Sequence, residues 1–111
     1  MIPQVRPAEL DAWIQAQPAG AVVLDVREDW ERQTASVAPA GFELVAIPMA
    51  QIPARAAELD PDKPTAVLCH HGARSQRVAM FLAQQGFTQL ANIAGGIDAW
   101  SRERDPTVPT Y

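Results

Sequence analysis

Thr65-Ala66-Val67-Leu68-Cys69-His70-His71-Gly72-Ala73-Arg74-Ser75 is the stretch whose reading decides the fold. The apolar run Ala66–Cys69, bounded upstream by the turn-forming Asp60-Pro61-Asp62-Lys63-Pro64, reads as a buried strand from Thr65 to Cys69. Downstream, from near Gln76, Val78, Phe81 and Leu82 fall on one face of a helix that Gly86 stops. Only a tight loop fits between. The chain's single cysteine therefore sits where a strand ends and a helix begins. Backbone N–H groups without helical partners converge there, at the positive end of the helix dipole. A thiolate, the nucleophilic form of cysteine, is favoured at such positions and beside cations, which makes Cys69 the candidate nucleophile. Arg74 and Arg77 are close in sequence, and no acidic residue occurs from Cys69 through Gln85. The local balance reads as positive within a chain of net charge −4, and an anion is expected at the loop.

Working outward, Ala21–Val26 is a second continuous apolar run between turn signals, as in a strand buried on both faces of a parallel sheet. Asp25, Arg27, Glu28 and Asp29 crowd its C-terminal end, the end that carries ligands in open α/β sheets. Phe42–Ile47, Gln89–Ile93 and a short Ile2–Val5 complete five strand candidates. Between them lie helical patterns. Leu10, Trp13 and Ile14 recur at helical spacing after Arg6-Pro7-Ala8-Glu9, a helix start with proline in the first turn. From Trp30 to Gly41 the signal is poor and the conformation stays open, a short helix around Asp29–Arg32 with a loop through Pro39 being one reading. Ile52, Ala56 and Leu59 mark another helix, and Ile97–Arg102 a last one after the Gly95-Gly96 turn. Strands alternating with helices predict an α/β three-layer sandwich, a five-stranded parallel sheet with helices on both faces. Residues 1–111 read as one domain, with 105–111, containing Pro106 and Pro109, as an extended or mobile tail.

Composition limits the function classes. With 48% hydrophobic and 20% charged residues in 111, the chain can bury one core, and it is neither disordered nor fibrous. No basic stripe lies outside the loop, so nucleic acid is not an expected partner. No apolar run approaches the ~20 residues that span a bilayer, and Met1–Arg6 lacks a signal-peptide pattern, so the expectation is a cytoplasmic protein with no membrane partner. One cysteine makes no internal disulfide, which is compatible with a reducing compartment.

The motif Cys69-His70-His71-Gly72-Ala73-Arg74-Ser75 resembles the active-site loop of single-domain rhodaneses, the thiosulfate sulfurtransferase family. Leu24-Asp25-Val26-Arg27-Glu28, Ile47-Pro48-Met49 and Gly95-Gly96-Ile97-Asp98-Ala99-Trp100 agree in order and spacing with the same family. Thr34–Gly41 departs from it, lacking the Gly-His-Ile triplet usual before the third strand. The resemblance implies that Cys69 carries a persulfide between half-reactions and that backbone N–H groups from His70 to Arg74 hold it.

Residue chemistry agrees with that implication. A thiolate attacks the outer sulfur of a small anionic donor such as thiosulfate, and a thiophilic acceptor then removes the sulfur. Cyanide or a thiol, a protein thiol included, would serve. Arg74 is expected to place the donor, and His70, His71, Gly72, Ala73 and Ser75 to complete the substrate-binding loop. Asp25 and Arg27 are expected to form an ion pair bracing it. No cofactor or metal is expected: adjacent histidines should project in different directions, and no second cysteine exists to close a zinc site. Two other readings stand beside this one. A cysteine phosphatase or arsenate reductase also sets a cysteine and an arginine around an anion, but four residues separate Cys69 from Arg74 where phosphatases of the tyrosine type have five. A persulfide carrier with little turnover of its own would need the same loop. Trp13, Trp30 and Trp100 read as core or rim packing.

Overall fold

The computed structural model describes residues 1–18 and 20–111. Five strands, β1 (Gln4–Val5), β2 (Val22–Asp25), β3 (Glu43–Ala46), β4 (Thr65–Leu68) and β5 (Leu90–Ile93), form one parallel sheet in the order β1-β5-β4-β2-β3. The α/β three-layer architecture and the five-stranded parallel sheet match the expectation. From β2 the chain moves outward to β3 on one side, then returns to lay β4 and β5 on the other. The direction of winding therefore reverses between β2 and β4, and the C-terminal ends of these two strands define the crevice where such sheets bind ligands. Asp25 pairs with Leu68 in register at this point, one residue before Cys69.

Alternation along the strands builds two cores. Val23, Ala66, Leu68, Ala91 and Ile93 face one side, packed with Leu10, Ile97 and the fully buried Trp100. They are covered by α1 (Leu10–Gln15) and α5 (Gly96–Glu103). Leu24, Val67 and Cys69 face the other side against Ile52, Val78, Ala79 and Leu82, under α3 (Ile52–Arg55) and α4 (Ala73–Gln84). Burial on both faces explains why these strands read as continuous apolar runs. The remaining helix, α2 (Asp29–Thr34), follows β2 directly.

Several boundaries differ from expectation, each for a local reason. The third helical pattern is a single turn of α-helix flanked by 3₁₀ turns at Met49–Gln51 and Ala56–Glu58. Pro53 has no N–H to donate and so supports only the first turn of a helix. Instead of starting near Gln76, α4 starts at Ala73, because Gly72 takes φ +112° and turns the chain straight from the loop into the helix. The departing segment after α2 is packed, with Ala35 and Val37 buried in the first core. The 105–111 segment has no helix or strand but is anchored. Val108 is buried, its carbonyl accepts from Ser101 Oγ at 2.6 Å, and Tyr111 reaches the loop. Among the described residues, no helix is long and apolar enough to cross a membrane.

Candidate active site

Cys69, the first residue after β4, is 1% exposed. Two groups hold its sulfur: the Gly72 N–H donates to Sγ at 3.0 Å, and Ser75 Oγ lies 3.1 Å away. Within hydrogen-bond distance of Sγ itself lie one amide and one hydroxyl. Ser75, fully buried in the first turn of α4, also meets Asn92 Oδ1 and the Gly72 carbonyl. Asn92 in turn donates through Nδ2 to Gly72 O at 3.1 Å and to Gln4 Oε1 at 2.9 Å. This network ties the cysteine to β5 and β1, both remote in sequence.

The loop is clamped from outside by α5. Ile97 N–H donates to the Cys69 carbonyl at 2.9 Å and Asp98 N–H to the His70 carbonyl at 3.2 Å, so the first turn of α5 satisfies loop carbonyls. Gly96 makes this approach possible. A Cβ there would lie 2.5 Å from Cys69 O and 2.4 Å from His70 O.

Around the mouth, long-range pairs replace the positive balance that sequence alone suggests. Arg74 NH1 and NH2 donate to Glu31 Oε1 and Oε2 at 2.7 and 2.8 Å. Hydrogen bonds from Arg74, together with those from Tyr111 and the Glu28 N–H, outweigh burial and hold the Glu31 carboxyl at about 2, well below its ordinary 4.5. Arg74 is raised in return, first by its hydrogen bonds to Glu31 and also by the charges of Glu31 and Cys69. Asp25 and Arg27 do form the expected ion pair: Arg27 Nε and NH2 donate to the carboxylate at 3.0 and 2.7 Å, both side chains being buried. Beyond that pair, Arg27 NH1 donates to Tyr111 Oη at 3.0 Å and to the Glu31 carbonyl at 3.3 Å. The local-charge reading needs correction at Arg74, which Glu31 from α2 meets, while Arg77 stays exposed on α4.

The histidines also differ from expectation. Their rings do not diverge: His70 and His71 stack with centroids 3.9 Å apart. Tyr111 stacks on His70 at 3.9 Å and 6°. Two near-parallel rings at that distance occupy opposite faces of His70, so it is sandwiched. Tyr111 hydroxyl donates to Glu31 Oε2 at 2.7 Å, and burial is the main cause that lifts it to about 12. Exposed Trp30 packs edge-on to Tyr111 at 6.0 Å, a rim position, whereas Trp100 is core. Among the described residues, no group of three or more potential metal-ligating side chains comes together.

Glu31, Tyr111 and Asn92 are the residues around the site that the sequence reading missed. Only Glu31 left a local trace: it lies three residues after Glu28, whose N–H donates to Glu31 Oε1 at 3.1 Å, the spacing of a capping box.

A parallel α/β sheet whose winding reverses beside a cysteine loop, with a helix N-terminus behind the sulfur, defines a class of small α/β domains with a crevice at the strand ends. Within that class, the rhodanese-like domain family model matches residues 6–103, and the chain belongs to this family. It is 36% identical over 100 residues to the thiosulfate sulfurtransferase GlpE of Actinobacillus succinogenes, covering 90% of this chain and 86% of that one. It is also 43% identical over 95 residues to the rhodanese-like/PpiC domain-containing protein 12 of Arabidopsis thaliana, a chloroplastic protein. The match covers 82% of this chain but spans only 30% of that longer protein. Among solved structures, a rhodanese-related protein from Thermoplasma volcanium superposes with a TM-score of 0.78 at 33% identity, covering 98% of this chain and 99% of that one.

Proposed function

We propose that this chain is a sulfurtransferase that moves a sulfane sulfur from a small anionic donor such as thiosulfate to a thiophilic acceptor, cyanide or a thiol, through a persulfide on Cys69. The observation that carries this reading is the placement of Cys69 Sγ, at a strand end, against the Gly72 N–H and the Ser75 hydroxyl. Its sulfurtransferase relatives support it. In the first half-reaction the Cys69 thiolate forms a bond to the donor's outer sulfur while the bond from that sulfur to the sulfite sulfur breaks. Sulfite leaves with the electron pair, and the new Cys69–S–S⁻ keeps one negative charge. In the second, cyanide or a thiolate takes the outer sulfur and Cys69 returns to the thiolate.

Individual roles follow from position. The Gly72 N–H stabilises charge on sulfur as an oxyanion-hole donor does on oxygen, and Ser75 Oγ, 3.1 Å away, packs against the same sulfur. Arg74, with N–H groups beyond the two that Glu31 accepts, orients the donor's anionic end. The His70–His71 stack forms a wall of the loop, and Ala73 opens α4 behind it. A sulfur as enclosed as that of Cys69 suits end-on approach by one terminal sulfur atom better than approach by a phosphoryl group with its tetrahedral oxygens. That favours sulfur transfer over the phosphatase or arsenate reductase reading.

Cys69→Ser is the decisive test, since a hydroxyl neither attacks the donor sulfur at neutral pH nor holds a persulfide. The variant should lose thiosulfate:cyanide transfer and no longer gain the mass of one sulfur atom on exposure to thiosulfate. Appreciable turnover in the variant would remove Cys69 from the mechanism. Loading of the unsubstituted chain only by a partner protein, never by thiosulfate, would favour the carrier reading.

A further inference from the structure

Arg74 is the cation of the Cys69 loop, but its charge is not free. Glu31, with its side chain only 4% exposed, accepts from both guanidinium nitrogens and is held in place by Tyr111 Oη and by the Glu28 N–H. Asp25 meets Arg27 in the same way one strand away. Two arginines and two carboxylates therefore sum to zero around a cysteine whose reactive form is an anion. Of the remaining charged groups nearby, Asp29 pairs with Arg32 on α2, Glu28 sits at the head of that helix, and Arg77 is exposed one turn along α4. An incoming donor anion meets the thiolate's charge with side-chain charges that nearly cancel and only the partial positive end of α4 to offset it, and repulsion grows with each further charge on the donor.

We propose that Glu31 is a specificity-determining residue: by neutralising Arg74 it makes the Cys69 site favour sulfur donors of single negative charge, such as thiosulfonates and persulfides, over dianionic thiosulfate. This rests on the sulfur-transfer reading above and adds the charge class of the preferred donor. The chemistry is the same for both classes. Methanethiosulfonate gives its terminal sulfur to the Cys69 thiolate and leaves as methanesulfinate with the electron pair of the broken S–S bond, as thiosulfate leaves as sulfite.

The test compares kcat/KM for thiosulfate and methanethiosulfonate, cyanide being the acceptor, in the unsubstituted protein and in Glu31→Gln. Glutamine retains an oxygen for Arg74 and removes the charge. The ratio of thiosulfate to methanethiosulfonate kcat/KM should rise roughly fivefold at low ionic strength, a size set by one unit charge a few ångströms further from the donor than Arg74, and the rise should shrink with added salt. Glu31→Asp, which keeps the charge, should leave the ratio near its original value. An unchanged or lowered ratio in Glu31→Gln, with both donors turned over, overturns the inference while leaving sulfur transfer intact. A purely structural role for Glu31 would lower both donors by the same factor. Should Glu31→Gln fail to fold, the unsubstituted protein decides. Added salt should raise the ratio by screening repulsion, and a fall, the mark of a net positive mouth, overturns the proposal. If neither donor is turned over by the unsubstituted protein, sulfur transfer itself fails and this inference with it.

Discussion

Arg27 and Arg74 make the same contact in two different surroundings. Each offers two nitrogens to one carboxylate, Asp25 in the first case and Glu31 in the second, and each belongs to a segment that ends at the crevice. Arg27 is sealed at 0% side-chain exposure, while Arg74 is 31% exposed. A sealed pair has no water to replace a lost partner, so its contribution is to the integrity of the fold. The half-open pair is still open to a ligand, and on the proposed sulfur-transfer reading its charge balance bears on the chemistry. On that reading burial assigns one arginine to structure and the other to the site.

The hardest blow to this contrast would come from Asp25→Ala, which leaves Arg27 charged and uncompensated in the interior. A loss of about 3–5 kcal/mol of stability is expected, read from urea or thermal unfolding. A loss below about 1 kcal/mol, the range of a surface pair, would show that Arg27 is not sealed. Arg74→Ala sharpens the other half. Because it removes an anchor for the donor and leaves Glu31 unopposed, kcat/KM for thiosulfate should fall roughly tenfold, the worth of a charge-assisted hydrogen bond. Its melting temperature should move less than that of Asp25→Ala. The reverse pattern, with stability lost and kinetics preserved, would erase the distinction.

A smaller effect tests the half-open pair by pH. The folded Glu31 carboxyl, at about 2, lies below its ordinary 4.5, so its stabilisation is complete above pH 4.5 and fades as the pH falls toward 2. Tyr111, lifted from 10.0 to about 12, behaves in the opposite sense: its share holds below pH 10 and fades as the pH rises toward 12. The difference in melting temperature between the unsubstituted chain and Glu31→Gln should therefore narrow between pH 4.5 and pH 2. A constant difference across that window would detach Glu31 from the cluster.

How far the sequence could be read depended on the range of the interactions. The buried strands were legible because a two-faced parallel sheet makes Val22–Asp25 and Thr65–Leu68 apolar throughout, and the Cys69 loop because it lies between two such readable elements. Partners across the molecule left almost no trace. Glu31 is 43 positions from Arg74 and 80 from Tyr111, and Asn92 is 88 from Gln4. Charge counted along Cys69–Gln85 gave a positive loop. Counted in space, Arg74 is offset by Glu31, a carboxylate that arrives from α2. The chain end misled for the same reason, since nothing around Pro109 announces that the next aromatic stacks on His70.

Gly96 brings the backbone of α5 against the carbonyls of Cys69 and His70, which Ile97 and Asp98 then fasten. The cradle's circumference is consequently set by a helix that lies outside the loop. Inserting one residue after Cys69, the simplest route to a pocket large enough for a tetrahedral oxyanion, would pull at least one of those carbonyls from its amide and unseat α5. Redesign toward phosphate or arsenate chemistry in this scaffold has to begin at the far helix, with the loop following it.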